Sequence, residues 1–207
     1  SRLDAGRLED ARALLGALSR HAAMNPKALA ETLSGWAEMW RRENRTAESV
    51  LCWMAAVAVI PHDFTVAEAA NTALGLLLEP EAVIETWRAL NVLLPVREQS
   101  CFFLGIGLMK QKRYEEADDA FAESFFEAPG SPFTRGLYGV SRLRVGDCGS
   151  AVALLGRALH EAPDADTLRA PYIEALLREG RVEAARDQVT FCAQAGIAIP
   201  GALRELR

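Results

Sequence analysis

Pro61, Pro95, Pro129 and Pro163 stand at equal intervals, in a chain with only nine prolines. Proline lacks a backbone N–H and cannot continue a helix. A ruler of prolines therefore marks where helices repeatedly stop. A 34-residue period points to a repeat architecture, in which each supersecondary unit buries its apolar face against its neighbours. With the ruler proline as position thirty-two, units begin at Ala30, Phe64, Glu98, Pro132 and Asp166. Other columns align on that frame. Position eight reads Ala37, Asn71, Gly105, Gly139, Ile173, and position twenty reads Ser49, Val83, Ala117, Ala151, Ala185. Position twenty-four reads Trp53, Trp87, Phe121, Leu155, Val189. Small residues recur where helices must approach closely, and large ones where a gap must be filled.

Each unit divides into two helical segments. In the third unit these run over about Gln99–Lys112 and Tyr114–Glu127. The break between them, at position fifteen, holds Asn44, Gly146 and Gly180, residue types that tolerate a left-handed backbone and end helices. Asn25-Pro26, Glu79-Pro80 and Ser131-Pro132 each read as an N-cap followed by a first-turn proline. Helix formers dominate the composition, and β-branched runs are rare.

A 34-residue helix–turn–helix unit carrying Leu104-Gly105, Tyr114, Ala117, Phe121 and Pro129 resembles the tetratricopeptide repeat. The fourth unit follows with Tyr138-Gly139, Gly146, Ala151, Leu155, Ala158 and Pro163; the second is degenerate at Asn71, and the fifth ends on Ile197 in place of the proline. The resemblance implies an all-α fold, a right-handed α-solenoid of antiparallel helix pairs. The expected organisation is five units, 30–63, 64–97, 98–131, 132–165 and 166–199. Residues 200–207 form a tail or the start of a capping helix. At the other end, "GRLEDA" (Gly6–Ala11) parallels "GRVEAA" (Gly180–Ala185), and Leu8, Ala11, Leu15, Leu18 and Ala22 line one helical face. Residues 1–24 thus read as the second helix of a unit whose first helix lies upstream, or as a cap.

"YEEADDAF" (Tyr114–Phe121) tests for chemistry, because it crowds Glu115, Glu116, Asp118 and Asp119 together. Tyr114, Ala117 and Phe121 share a helical face that packs, which leaves the acids to a solvated side near a helix N-terminus, where negative charge is favoured. No motif of a nucleophilic hydrolase, phosphate loop or zinc peptidase occurs, so no enzyme and no cofactor is expected. Cys52, Cys101, Cys148 and Cys192 are far apart and read as buried, reduced thiols rather than metal ligands; His21, His62 and His160 read as surface or helix-end residues. The net charge of −5 argues against a nucleic-acid partner, and the longest apolar run, Val50–Ile60, is too short to span a membrane. With no signal peptide visible, a cytoplasmic location is expected.

Function then rests on the groove that the resemblance implies, lined by the first helices of successive units. Its middle holds Phe102, Ile106, Met109, Phe133, Val140 and Leu143, with Leu177 further along. Six apolar residues exposed on one concavity would need a cover. A protein or peptide with apolar anchors is the expected partner, and a terminal helix or a second copy of the chain is the alternative. Lys110, Arg144 and Arg178, with Arg42, put a cation at position thirteen of four units, either as a basic rim for an acidic segment or as ordinary helix C-terminal charge. Some relatives by resemblance clamp the C-terminal carboxylate of heat-shock chaperones. Phe102, Ile106, Leu137, Thr167 and Pro171 occupy the positions of that clamp, and none can make it. "FFLGIGLMKQKRYEEA" (Phe102–Ala117) also looks like a repeat of type III secretion translocator chaperones. The expectation is a non-catalytic interaction scaffold, with a recruitment module of a longer enzyme, a secretion chaperone or a self-assembling scaffold as alternatives.

Overall fold

The computed structural model describes residues 25–204, and the N-terminal half-repeat reading lies outside the described residues, as does the end of the tail. Every regular element among the described residues is a helix. In chain order they are α1 (Pro26–Arg42), α2 (Thr46–Val59), α3 (Phe64–Leu77), α4 (Pro80–Leu93), α5 (Glu98–Lys110), α6 (Tyr114–Glu127), α7 (Pro132–Val145) and α8 (Cys148–Glu161). A 3₁₀ turn, Asp166–Leu168, then leads into α9 (Arg169–Arg178), followed by α10 (Val182–Gln194) and the short α11 (Gly201–Arg204). The second helices start at Thr46, Pro80, Tyr114, Cys148 and Val182, at the same equal intervals as the ruler prolines.

The turn at position fifteen explains this regularity. Asn44, Lys112, Gly146 and Gly180 all have positive φ, at 58°, 59°, 92° and 79°. In each case the left-handed residue donates its N–H to the carbonyl three residues back, and the next residue donates to the carbonyl five back. In the fourth unit these are Gly146 to Leu143 and Asp147 to Arg142; in the third, Lys112 to Met109 and Arg113 to Leu108. This is the Schellman closure, which satisfies the last carbonyls of the first helix. The second unit departs from it: Leu78 is extended (φ −127°), and Pro80 starts the next helix directly.

Helix starts follow the caps unevenly. Asn25 accepts from the Ala28 N–H, Asp63 from Thr65 and Val66, Ser131 from Thr134, and Asp147 from Ser150. Glu79 precedes Pro80 but its side chain caps nothing. Its carboxylate sits one methylene further out than the short side chains that fold back onto the first turn.

The chain divides into two compact units, one up to Gly107 and one from Leu108 onward, so the division falls within α5. The N-terminal unit is built on aromatic packing. Phe103 stacks on Trp87 at 5.0 Å between ring centroids, and Phe64 and Phe102 meet it tilted or edge-on at 5.3 and 5.1 Å. Trp87 donates its indole N–H to Asn71 Oδ1 at 3.0 Å. Asn71 thus supplies an acceptor where the other units place Ala, Gly or Ile. In the first unit Trp53 holds the position of Trp87 and Ala37 that of Asn71, and the buried Trp53 indole N–H has no hydrogen-bond partner among the described residues.

The C-terminal unit has an aliphatic core of Leu143, Leu155, Leu168, Ile173, Leu176 and Val189 with the small column residues Ala151, Ala158 and Ala185. Gly139 permits the α7–α8 approach, since a Cβ there would stand 2.8 Å from Leu155 Cγ. Two arginines are buried in this unit, Arg135 and Arg169, at 5 % and 6 % exposure. They stand one repeat apart, both at position four, and each meets the carbonyl of the ruler proline before it, while their carboxylate and ring partners come from different repeat positions. Arg135 donates to the carbonyl of Pro129 at 2.5 Å, and Arg169 to that of Pro163 at 2.6 Å. Arg135 pairs with Glu161, and Arg169 with Asp166 at 3.2 Å. Each guanidinium also lies over a ring, Arg135 on Phe125 at 5.7 Å and Arg169 on Phe191 at 4.4 Å.

Candidate interaction site

The residues expected to line the groove fall in different places. Phe102 and Ile106 belong to the N-terminal unit; the others belong to the C-terminal one. Phe102 is buried, packed between Phe64 and Phe103, so it holds the aromatic core rather than a partner. Leu143 is fully buried in the aliphatic core. Position twelve of α7 turns towards α8 and α9, which close over it. Ile106 and Met109 are half-buried, and Lys110 is exposed.

The other expected residues lie on α7 and α9. Phe133, at 47 % exposure, stands in the first turn of α7. Val140 is half-buried two turns on, and Arg144 follows on the same face. From Phe133 to Arg144 is eleven residues, about 16 Å of helix at 1.5 Å per residue. On α9, Leu177 is half-buried and packs, as Val140 does, against the same core. Glu174 joins the two helices electrostatically: Arg144 Nη1 lies 3.1 Å from Glu174 Oε1, and Arg178 Nη2 2.7 Å from it. Arg178 also donates to the Leu143 carbonyl at 3.4 Å. Two cations share one carboxylate, so the end of this face keeps a surplus positive charge beside an apolar strip. The column of cations is legible in the sequence; that Glu174, at position nine, couples two of them is not, because the partners sit on different helices.

The acidic stretch resolves differently from the sequence reading. Glu115 and Asp119 are exposed and Glu116 pairs with Arg113 at 2.7 Å, but Asp118 is buried. It accepts a 2.7 Å hydrogen bond from the Ser141 hydroxyl of α7, and Arg142 lies 3.4 Å from its other oxygen. Arg142 also donates to the Tyr138 hydroxyl and lies 3.6 Å from Asp147. Asp147's carboxyl lies below the usual carboxylate range, chiefly because Ser150 donates to it from side chain and backbone, with Arg142 adding attraction. These carboxylates tie helices together.

Among the described residues no three of His, Cys, Asp and Glu converge as metal donors, and no helix is long and apolar enough to cross a membrane. His62 and His160 are exposed. Cys101 and Cys192 are buried, whereas Cys52 and Cys148 are half-buried, short of the full burial expected. Burial pushes the Cys52 and Cys192 thiols up, away from the reactive thiolate.

No protein-family model matches the sequence, and no curated protein sequence is significantly similar to it. Solved structures are similar. MamA residues 41 to the end, from Desulfovibrio magneticus RS-1, aligns with a TM-score of 0.61 at 14 % identity, over 80 % of this chain and 93 % of that one. Pseudomonas aeruginosa PilF aligns with 0.59 at 17 % identity, over 82 % and 77 %. YrrB, described as a TPR protein with an unusual peptide-binding site, aligns with 0.58 at 11 % identity, over 76 % and 81 %. By class, then, the chain is an all-α helical-repeat protein. Its fold is that of the tetratricopeptide-repeat solenoids, as the 34-residue units and their recurrent turn require.

Proposed function

We propose that the chain is a non-catalytic protein-interaction scaffold, and that the α7–α9 face of the C-terminal unit takes a peptide or helix with apolar anchors followed by an acidic residue. The observation that carries this is one face on which Phe133, Val140 and Leu177 lead to the Arg144–Glu174–Arg178 cluster. Apolar anchors would cover the strip, and an acid would meet the surplus cation at its end. Glu174 holds both guanidinium groups in place before a partner arrives, which lowers the ordering cost of binding. The similarity to YrrB supports a peptide ligand through the fold alone. Of the residues expected to line the groove, Phe102 and Leu143 are left out of this face because they are buried, and Phe133, Val140, Arg144, Leu177 and Arg178 are kept.

Selection of random dodecapeptides against the purified chain, followed by calorimetry of the consensus peptide, tests this reading. Phe133→Glu is expected to weaken the selected peptide at least about tenfold, the equivalent of ~1.4 kcal/mol, with an unchanged circular dichroism spectrum. Arg178→Glu should weaken acidic-ended peptides and spare their amidated neutral counterparts. Peptides that bind both variants as tightly as the parent chain would place the binding face elsewhere.

A further inference from the structure

Position twenty-nine of the repeat, near the end of each second helix, is not packed away by its own unit. It reads Ala58, Val92, Phe126, His160 and Gln194, and each of these is half-buried or exposed. Polar residues suit such a place, and the last two units have them. Phe126, on α6, is 75 % exposed, with its ring 6.0 Å from that of Phe125. Glu127 follows it, also exposed, and makes no ion pair among the described residues. Val92 is 80 % exposed too, but Leu93 follows it rather than an acid. Phe126–Glu127 is thus an uncovered aromatic side chain next to a free carboxylate, on the C-terminal unit.

The N-terminal unit carries the complement. The start of α1, the end of α2 and the start of α3 enclose a cleft of about 540 Å³, room enough for an aromatic side chain. Val59, Ile60 and Pro61 give it an apolar wall. Phe64 extends that wall with a ring 39 % exposed and backed by Phe102 and Phe103, each at 5.3 Å. The wall is therefore fixed before anything enters. Lys27 and His62 also line the cleft; both are exposed, and neither side chain makes an ion pair or hydrogen bond among the described residues. Asp63, beside them, is committed to capping α3, where it accepts from the Thr65 and Val66 N–H groups.

We propose that Phe126 and Glu127 of one copy seat in this cleft of a second copy, the ring against Phe64, Ile60 and Pro61 and the carboxylate facing Lys27 and His62. The occupant is a second copy rather than a foreign peptide because the chain itself exposes the matching pair: an uncovered aromatic beside a free acid, and an apolar wall beside two free bases. The contact is heterologous, since knob and socket are different surfaces. Every pair of copies keeps one unused knob and one unused socket, so assembly continues until a ring closes or a filament grows. This surface is separate from the α7–α9 face.

Sedimentation velocity on the full chain over a concentration series tests the assembly. The parent chain is expected to associate beyond a dimer as its concentration rises. Two variants at exposed positions divide the contact: Phe126→Asp removes the knob and keeps the socket, and Lys27→Glu/His62→Glu does the reverse. Each alone is expected to weaken association at least about tenfold, with the helical circular dichroism of the parent. Mixed in equal amounts, the two should form pairs and stop there, because each supplies the half that the other lacks. If a variant loses helicity, Phe126→Ala or Lys27→Ala/His62→Ala makes the same comparison with less disruption. A parent chain that stays monomeric overturns the proposal, and so does association that persists unchanged in both variants. Association lost in each variant and not regained in the mixture overturns it in favour of a symmetric contact between like faces.

Discussion

Position four of the repeat is filled in two ways. In the N-terminal unit it holds Leu33, Ala67 and Cys101, all buried. In the C-terminal unit it holds Arg135 and Arg169, equally buried. The helix pairs keep the same spacing in both. The difference shows that the backbone hairpin tolerates either an apolar plug or a long cation at this point, provided the cation's donors are met. The arginine also reaches something a leucine cannot, the carbonyl of the ruler proline six residues earlier. In the C-terminal unit the proline that ends one hairpin is therefore tied to the start of the next first helix by a charge-assisted hydrogen bond.

The largest test of that contrast is Arg135→Ala. It leaves the Pro129 carbonyl without this donor and Glu161 with Arg157 alone, and opens a cavity, and should cost about 3 kcal/mol in urea unfolding. Arg135→Leu, which borrows the solution used at Leu33, should recover a large part of the loss. If alanine costs no more than a surface substitution, the buried arginine is not what closes the hairpin.

A smaller effect separates the two tryptophans of the N-terminal unit. Trp87→Phe and Trp53→Phe remove similar volumes, but only the first strips a donor from a partner, Asn71. Trp87→Phe should therefore be the more destabilising by roughly 1 kcal/mol, the net worth of a hydrogen bond to the half-buried Asn71. Equal melting temperatures for the two variants would remove the distinction.

The smallest effect lies in the position-fifteen turn. Lys112 adopts the left-handed conformation without being glycine. Lys112→Gly should stabilise by about 1 kcal/mol, and Gly146→Ala should destabilise by a similar amount, since a Cβ is costly there. Thermal denaturation of the two variants measured side by side gives the sign directly.

The repeat length and the turns at Asn44, Gly146 and Gly180 are legible in the sequence because they depend on residue types at fixed offsets. Lys112 is not, since its left-handed backbone is imposed by the two hydrogen bonds that close the helix before it. The binding face is only half legible. Spacing along a helix says that Phe102 and Leu143 lie on the side expected to be concave; it does not say that Phe64 folds over one, or that α8 and α9 close over the other. Arg135 and Arg169 form a column in plain view, beside Pro129 and Pro163. Nothing local marks them as interior, because arginine is so seldom buried. Asp118 is hidden by its neighbours: three of four adjacent acids do face outward or pair at the surface, and only Ser141, on the next helix, singles out the fourth.

The fixed start of every second helix also governs which lengths of sequence this chain can gain or lose. One residue inserted in a helix rotates all that follows by about 100° about the helix axis, turning a packing column towards solvent. Loss or gain of a whole 34-residue block returns every later column to its phase. Gain or loss of a complete block therefore costs this fold far less than a single-residue insertion within one of its helices.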